Sequence, residues 1–554
     1  MHYLLILVSV ISFQLVCFTQ EELTQNEKLT SLCKVWGFVK YHHPAVNEGN
    51  VDFDEELLKK IELISLVTSR NELHQFYSDW VNELNMLCKK KEFSRSSQLL
   101  PLQEELFQKW ESQEGILGIT FINEVKKMML LERKRKNINY AYQSSLDNVG
   151  AYISKNEKLF VNFIPPDEKI QLLSLFRYWN VIEYFYPHKP TNWDEILEKH
   201  IPEFKSVHST LTYHLALSSL TAEIKDGHTS LKTNTKDLYN NSYLYQLPFN
   251  SITYSNYTVI TGISKEFKSN LNIGDTIITI DHISVSEKLD SIRKYFQTSN
   301  ESSFYNRIHF KLFSGTERLL NLTVVRNGDT LKISENRYTY DEISVLLQKG
   351  FLSLHNPPEE VNQNIIYIDP SYYNQKTFSK KLKQSKAYQV IILDMRGYPL
   401  IRHNTFTNFI SGEKRHFAIL TKPNIITPGL FISTNEYTGR ENKNPYQGKI
   451  ILLVNTMTQS ASEYSCMAMQ SFDNVITIGT TSAGADGNIS KLYFPGNVET
   501  TFTGLGVYYP DATPAQKLGV KIDIKVNETA ISIINKEDVI LKEAIQYAMS
   551  LIKN

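Results

Sequence analysis

Apolar residues recur at helical spacing twice in the first half of the chain. In "EKLTSLCKVWGFVKYHHPAV" (Glu27 to Val46), Leu29, Leu32, Val35, Trp36 and Val39 fall on one face of a helix that Pro44 closes. The same pattern returns in "EKIQLLSLFRYWNVIEYFYPHK" (Glu168 to Lys189). Trp36 to Pro44 repeats as Trp179 to Pro187, and Phe53-Asp54 matches Trp193-Asp194. Each copy predicts a helix, a loop and a second helix. Two copies are too few for a solenoid, which needs about three or more units. The pattern therefore predicts a duplicated helical element whose aromatics pack into a core, with ligand binding by those aromatics as the alternative. A charged, mostly helical stretch to about Gln143 separates the copies, and "LTYHLALSSLTAEI" predicts a further helix before "KDGHTSL".

The period then changes. From Pro248 to about Ile333, "YTVITGI", "DTIITID" and "LLNLTVVRNGDTLKI" predict short strands of a small β-rich module. Beyond Asn364 the runs "IIYID", "VIILDMR", "KIILLVN" and "VITIG" are continuously apolar, as strands buried on both faces of a largely parallel sheet must be. A chain of 554 residues exceeds what one core supports, since cores stop growing at roughly 250 to 300 residues. The pattern divides it at 1–19, 20–165, 166–245, 246–335 and 336–554, an α+β multidomain arrangement.

Composition narrows the function classes. Lys+Arg and Asp+Glu are equal at 59 each, so no global field points to nucleic acid or to a membrane surface. The densest basic run, "ERKRKN" (Glu132 to Asn137), reads as a solvated helix end. The apolar stretch from Tyr3 to Val16 is too short to span a bilayer as a mature helix but suits an export leader. Cleavage near Thr19 is expected, with retention as an anchor the alternative, and no membrane span in the mature chain. Export to the periplasm or cell envelope, or secretion, follows. Cys33, Cys88 and Cys466 form neither a disulfide framework nor a zinc pattern and read as buried packing residues.

Three segments could carry chemistry. "NTMTQSASEYSCMAMQSF" follows an apolar strand and opens a helix, and a serine in such a turn gains exposure and helix-terminal N–H groups that favour negative charge. Glu463, three residues after Ser460, fits a capping box equally well. "ILDMRGYPL" ends another strand in Asp394 and Arg396, as a backbone donor loop or an Arg–carboxylate brace. "DGHTS" (Asp226 to Ser230) sets a histidine after an Asp-Gly turn.

In this order, with "GTTSAGADGN" after them, the segments resemble the tail-specific (C-terminal processing) serine proteases and their tricorn-like relatives, over about Ile170 to Met549. The resemblance implies a crotonase-like α/β protease core, and "NIGDTIITIDHISVSEKLDSI" looks like the strand and helix of an embedded PDZ domain, with His282 in the usual glycine neighbourhood. It makes Ser460 the nucleophile, Ser462 a neighbour, and the amides of Ala461 and Leu400 the oxyanion donors, although the two glycines usual beside Leu400 are absent. Processing proteases place a Lys base twenty-five residues after the serine, where this chain has Ala485. The tricorn-like branch uses an upstream histidine, here His228, and an acidic residue whose place is taken by Gln516; Asp226 is a neighbour able to stand in for it. The expected activity is that of an exported serine endopeptidase acting on peptides or proteins, PDZ-assisted, with no metal or other cofactor and no nucleic-acid partner. A catalytically silent peptide- or ligand-binding protein on the same fold is the alternative.

Overall fold

The computed structural model describes residues 23–88, 96, 98–131, 138–143, 151–233, 245–264, 267–339, 341–343, 360–535 and 537–552. The expected leader at 1–19 and the basic run at 132–137 lie outside the described residues. Among those described, no helix is long and apolar enough to cross a membrane.

The duplicated pattern folds as two sets of three helices. The first is α1 (Gln25–His42), α2 (Phe53–Ser65) and α3 (Arg70–Met86); the second is α4 (Glu168–Phe185), α5 (Trp193–Lys205) and α6 (Thr210–Ala222). Equivalent residues do equivalent work. The Trp36 indole donates to the Phe53 carbonyl at 2.9 Å, and the Trp179 indole to the Trp193 carbonyl at 2.9 Å. Lys28 and Gln171 each donate to the carbonyl of a valine that ends the next helix, Val67 and Val207. α1 and α4 cross where Gly37 meets its own counterpart, Asn180, whose amide donates at 2.9 Å to the equivalent carbonyls of Cys33 and Phe176. A Cβ on Gly37 would lie 1.6 Å from Asn180 Oδ1, so only glycine admits the crossing. The local dyad therefore passes between Gly37 and Asn180.

The aromatics of both copies are buried in a single core cluster, which also takes in Leu492, Phe494, Val498 and Phe502 from the α/β portion. Within it Lys40, Asp54, Glu157 and Arg177 form a buried charge network, with Arg177 2.8 Å from Asp54 and Lys40 2.9 Å from Glu157. Cys33 and Cys466 are buried and free as expected; Cys88 is only half-buried, because it lies just past the end of α3, where its thiol faces the Leu84 carbonyl.

After α6 the "DGHT" turn leads into β1 (Ser230–Lys232). The small β module is an antiparallel sheet of Phe249–Thr253, Thr258–Ile263, Thr276–Ile280, Leu319–Arg326 and Asp329–Asn336, with a helix at Val285–Arg293 and a core of its own.

In the last portion β2 (Ile365–Ile368), β3 (Val390–Asp394), β4 (Lys449–Val454) and β5 (Val475–Gly479) pair in parallel. Ile391, Leu393, Ile450 and Leu452 face a cluster that includes α7 (Ala461–Gln470). Val390, Ile392, Ile451 and Leu453 face a second cluster, under α8 (Val539–Ile552). This is why the runs show no polar alternation: the strand period of two puts apolar residues on both covered faces. A hairpin, β6 (Ile489–Phe494) with β7 (Val498–Thr503), leaves this sheet and pairs with β1, while β8 (Ile524–Lys525) extends the parallel sheet beside β5.

Candidate active site

The serine turn is held by a buried carboxyl from its own helix. Ser460 joins β4 to α7 with φ 54° and ψ −117°, a region that non-glycine residues rarely occupy. Glu463, one helical turn on, is buried and anchors the turn. It accepts from Ser460 N (3.2 Å), Gly484 N (2.8 Å), Ala485 N (3.0 Å) and Ser482 Oγ (2.6 Å). Burial pushes the Glu463 carboxyl above its ordinary range, and these donors oppose the shift. Ser462 is buried and donates to the Gly397 carbonyl at 2.8 Å, tying α7 to the "RGYP" loop. The Ala461 amide opens α7, among the N–H groups that lack an intrahelical acceptor.

The histidine turn is held by strand pairing. β1 and β7 run antiparallel with Ser230 opposite Thr501, a register that continues to bring His228 across from Thr503. The His228 carbonyl accepts from Thr501 Oγ1 at 2.7 Å. Asp226, fully buried, accepts from His228 N (2.9 Å), Thr503 N (2.6 Å) and Thr503 Oγ1 (2.9 Å). Thr503 Oγ1 in turn lies 2.9 Å from His228 Nδ1. Burial lowers the His228 pKa below its ordinary value, Asp226 opposes the shift and Arg307 adds to it, so the balance favours the neutral ring.

Ser460, Ala461 and His228 line one cavity of about 730 Å³, together with Tyr398, Asp486 and Leu505. Of the other residues singled out in the sequence, Leu400 is exposed and Gln516 is buried, and neither lines this cavity. Gln516 packs beside the Tyr186 hydroxyl, which also faces Asp226. Arg396 braces the end of β3, pairing with Asp394 (2.6 Å) and Asp538 (2.7 Å). Ala485, at the position of the lysine in the processing proteases, is buried, and its carbonyl accepts from Ser460 N at 3.1 Å. A Cβ on Gly227 would come within 3.0 Å of the Ala485 Cβ, so the "DGH" turn fills the space beside position 485.

The small β module reaches both turns. Asn300 Nδ2 donates to the carbonyls of Ser482 (3.0 Å), Ala483 (3.2 Å) and Lys517 (3.1 Å), and Ser299 Oγ accepts from Gly227 N (2.7 Å). Two polar residues of the site had no local signal. Thr503, on an alternating strand, meets His228 only through the fold. Asp486 is a buried carboxyl on the cavity wall, pushed well above its ordinary range by burial and by Glu463. Among the described residues, no group of three or more His, Cys, Asp or Glu is placed to hold a metal ion.

A serine with strained backbone at a strand-to-helix turn, on the wall of a cavity that an imidazole also lines and at the end of a helix whose first amides are free, defines a site of the serine-hydrolase type. Residues 364–526 match the sequence model of peptidase family S41, in line with the resemblance to the tail-specific serine proteases. The fold is shared with solved structures. A serine-to-alanine mutant of CPAF is 13% identical, with 70% of this chain and 98% of that chain covered and a TM-score of 0.56. Mature CPAF complexed with lactacystin is 13% identical over 70% of this chain and 98% of its own, with a TM-score of 0.53. Comparison with curated protein sequences gives no match.

Proposed function

We propose that the protein is an exported serine endopeptidase in which Ser460 is the nucleophile and His228, in place of a lysine, the general base. The observation that carries this reading is the placement of Ser460, at φ 54° on the N-terminus of α7, in the wall of the cavity that His228 also lines. Ser460 attacks a peptide carbonyl as His228 takes its proton, and the Ala461 amide receives the negative charge on the carbonyl oxygen. His228 then protonates the leaving amine, and water releases the acyl group. A neutral imidazole suits this work near pH 7, whereas a lysine would need strong desolvation. The contact of Gly227 with Ala485 supports the exchange of one base for the other. The small β module, read as PDZ-like, holds an extended substrate segment by strand addition.

The test is labelling with a fluorophosphonate probe. Covalent modification at Ser460, lost in Ser460→Ala and slowed in His228→Ala, is the expected result. A correctly folded protein whose Ser460 does not react is instead the silent binding protein, which the missing glycines at the "RGYP" loop favour.

A further inference from the structure

We infer that Thr503 is the positioning residue for the base, carrying the influence of Asp226 to His228 through its hydroxyl. The inference rests on the Ser460–His228 reading above. It follows from counting protons. A threonine hydroxyl has one proton to give and lone pairs to receive with, and an ionised carboxylate only receives. Thr503 Oγ1 lies 2.9 Å from Asp226 Oδ1, so its proton points there. The same oxygen lies 2.9 Å from His228 Nδ1, so at that contact the ring must be the donor. The neutral imidazole is thereby fixed as the Nδ1–H tautomer, and the lone pair needed to take a serine proton sits on Nε2.

The surrounding bonds make this arrangement rigid. Asp226 also accepts from the backbone N–H groups of His228 and Thr503, so one buried carboxylate fastens the histidine turn and the end of β7 together. The Thr503 side chain is β-branched on a strand, which restricts its χ1 and keeps the hydroxyl in line. When Ser460 gives up its proton, the hydrogen bond from Nδ1 becomes charge-assisted and strengthens. The charged groups that bear on the ring are Asp226, which favours the imidazolium, and Arg307, which opposes it. Gln516 makes no hydrogen bond to His228; it lies beside Tyr186. The orienting role that a third carboxylate would play at position 516 is filled from position 503.

Two readouts on the full chain test this. One is the second-order rate of fluorophosphonate labelling against pH, in Thr503→Val and Thr503→Ser. The other is the 15N chemical shift of the His228 ring nitrogens in the unmodified protein. Thr503→Val should label about 10²-fold more slowly, the lower end of a general base's contribution. Its acid limb should move to lower pH, because the imidazolium loses an acceptor; Thr503→Ser should retain most of the rate and the native limb. The ring should show Nδ1 protonated and Nε2 bare. A Thr503→Val protein with the native rate and pH profile, or a native ring protonated on Nε2, overturns the inference. If the native protein does not label at all, the serine reading fails on its own, and the ring shifts still decide the role of Thr503.

Discussion

The two turns that meet in the cavity are built in opposite ways. In the serine turn the anchoring carboxylate, Glu463, stands three residues from its serine and spends its bonds on Ser460, Ser482, Gly484 and Ala485. In the histidine turn the carboxylate, Asp226, stands two residues from its histidine and reaches the ring only through a hydroxyl 275 residues further along. Ser460 is thus placed by its own helix and the loop two dozen residues on, and His228 by a strand pairing. A turn whose shape is written locally is recognisable as a motif. A turn completed across the fold leaves only half of itself in any one stretch of sequence.

This contrast gives an ordered set of tests. Ser460→Ala removes the one group that nothing else replaces, and hydrolysis should fall on the order of 10⁶-fold, measured as kcat. His228→Ala should cost about 10²- to 10⁴-fold, because a strained, helix-capped serine keeps its oxyanion donors without its base. Glu463→Ala attacks the serine turn itself and should destabilise the fold by about 3 kcal/mol in urea unfolding, since the donors it satisfies are left buried.

pH separates the same networks more gently. Burial holds the carboxyl pKa values of Glu463 and Asp486 above the ordinary carboxylate values of about 4. The folded state then binds more protons than the unfolded state above those values, so this contribution to stability is full below about pH 4 and is lost as pH rises through the raised values. Urea titrations at increasing pH should show that decline, and Asp486→Asn should flatten it. The smallest effect is expected at the nucleophile's backbone. Ser460→Gly relieves a positive φ and should raise stability by about 1 kcal/mol while abolishing labelling.

Much of the fold was legible because its elements repeat simple periods. The duplicated helices appeared through Trp36 and Trp179, and the parallel strands through runs such as "VIILD" whose two faces are both covered. The strand, turn and helix around Ser460 were legible for the same reason, since the three are contiguous, whereas the choice of Ser460 over Ser462 came from the family resemblance. Ser462 proved to be a tether to Gly397, a role visible only once the "RGYP" loop lay against α7. The hairpin β6–β7 was not anticipated, and with it went Thr503. Asp486 was equally silent, because nothing in "GADGN" distinguishes a solvated turn aspartate from a carboxyl buried on a cavity wall.

The sequence by itself determined the helical duplication, the both-faces-buried sheet and the serine turn, each of which depends on residues within one or two dozen positions of one another. Only the tertiary structure decided how His228 is held. The pairing of β1 with β7 sets Thr503 opposite His228, and the contact of Gly227 with Ala485 fills the place beside the missing lysine. Both depend on chain segments hundreds of residues apart, and a hydrogen bond or a packing contact carries no trace of its partner in the local pattern of apolar and polar residues.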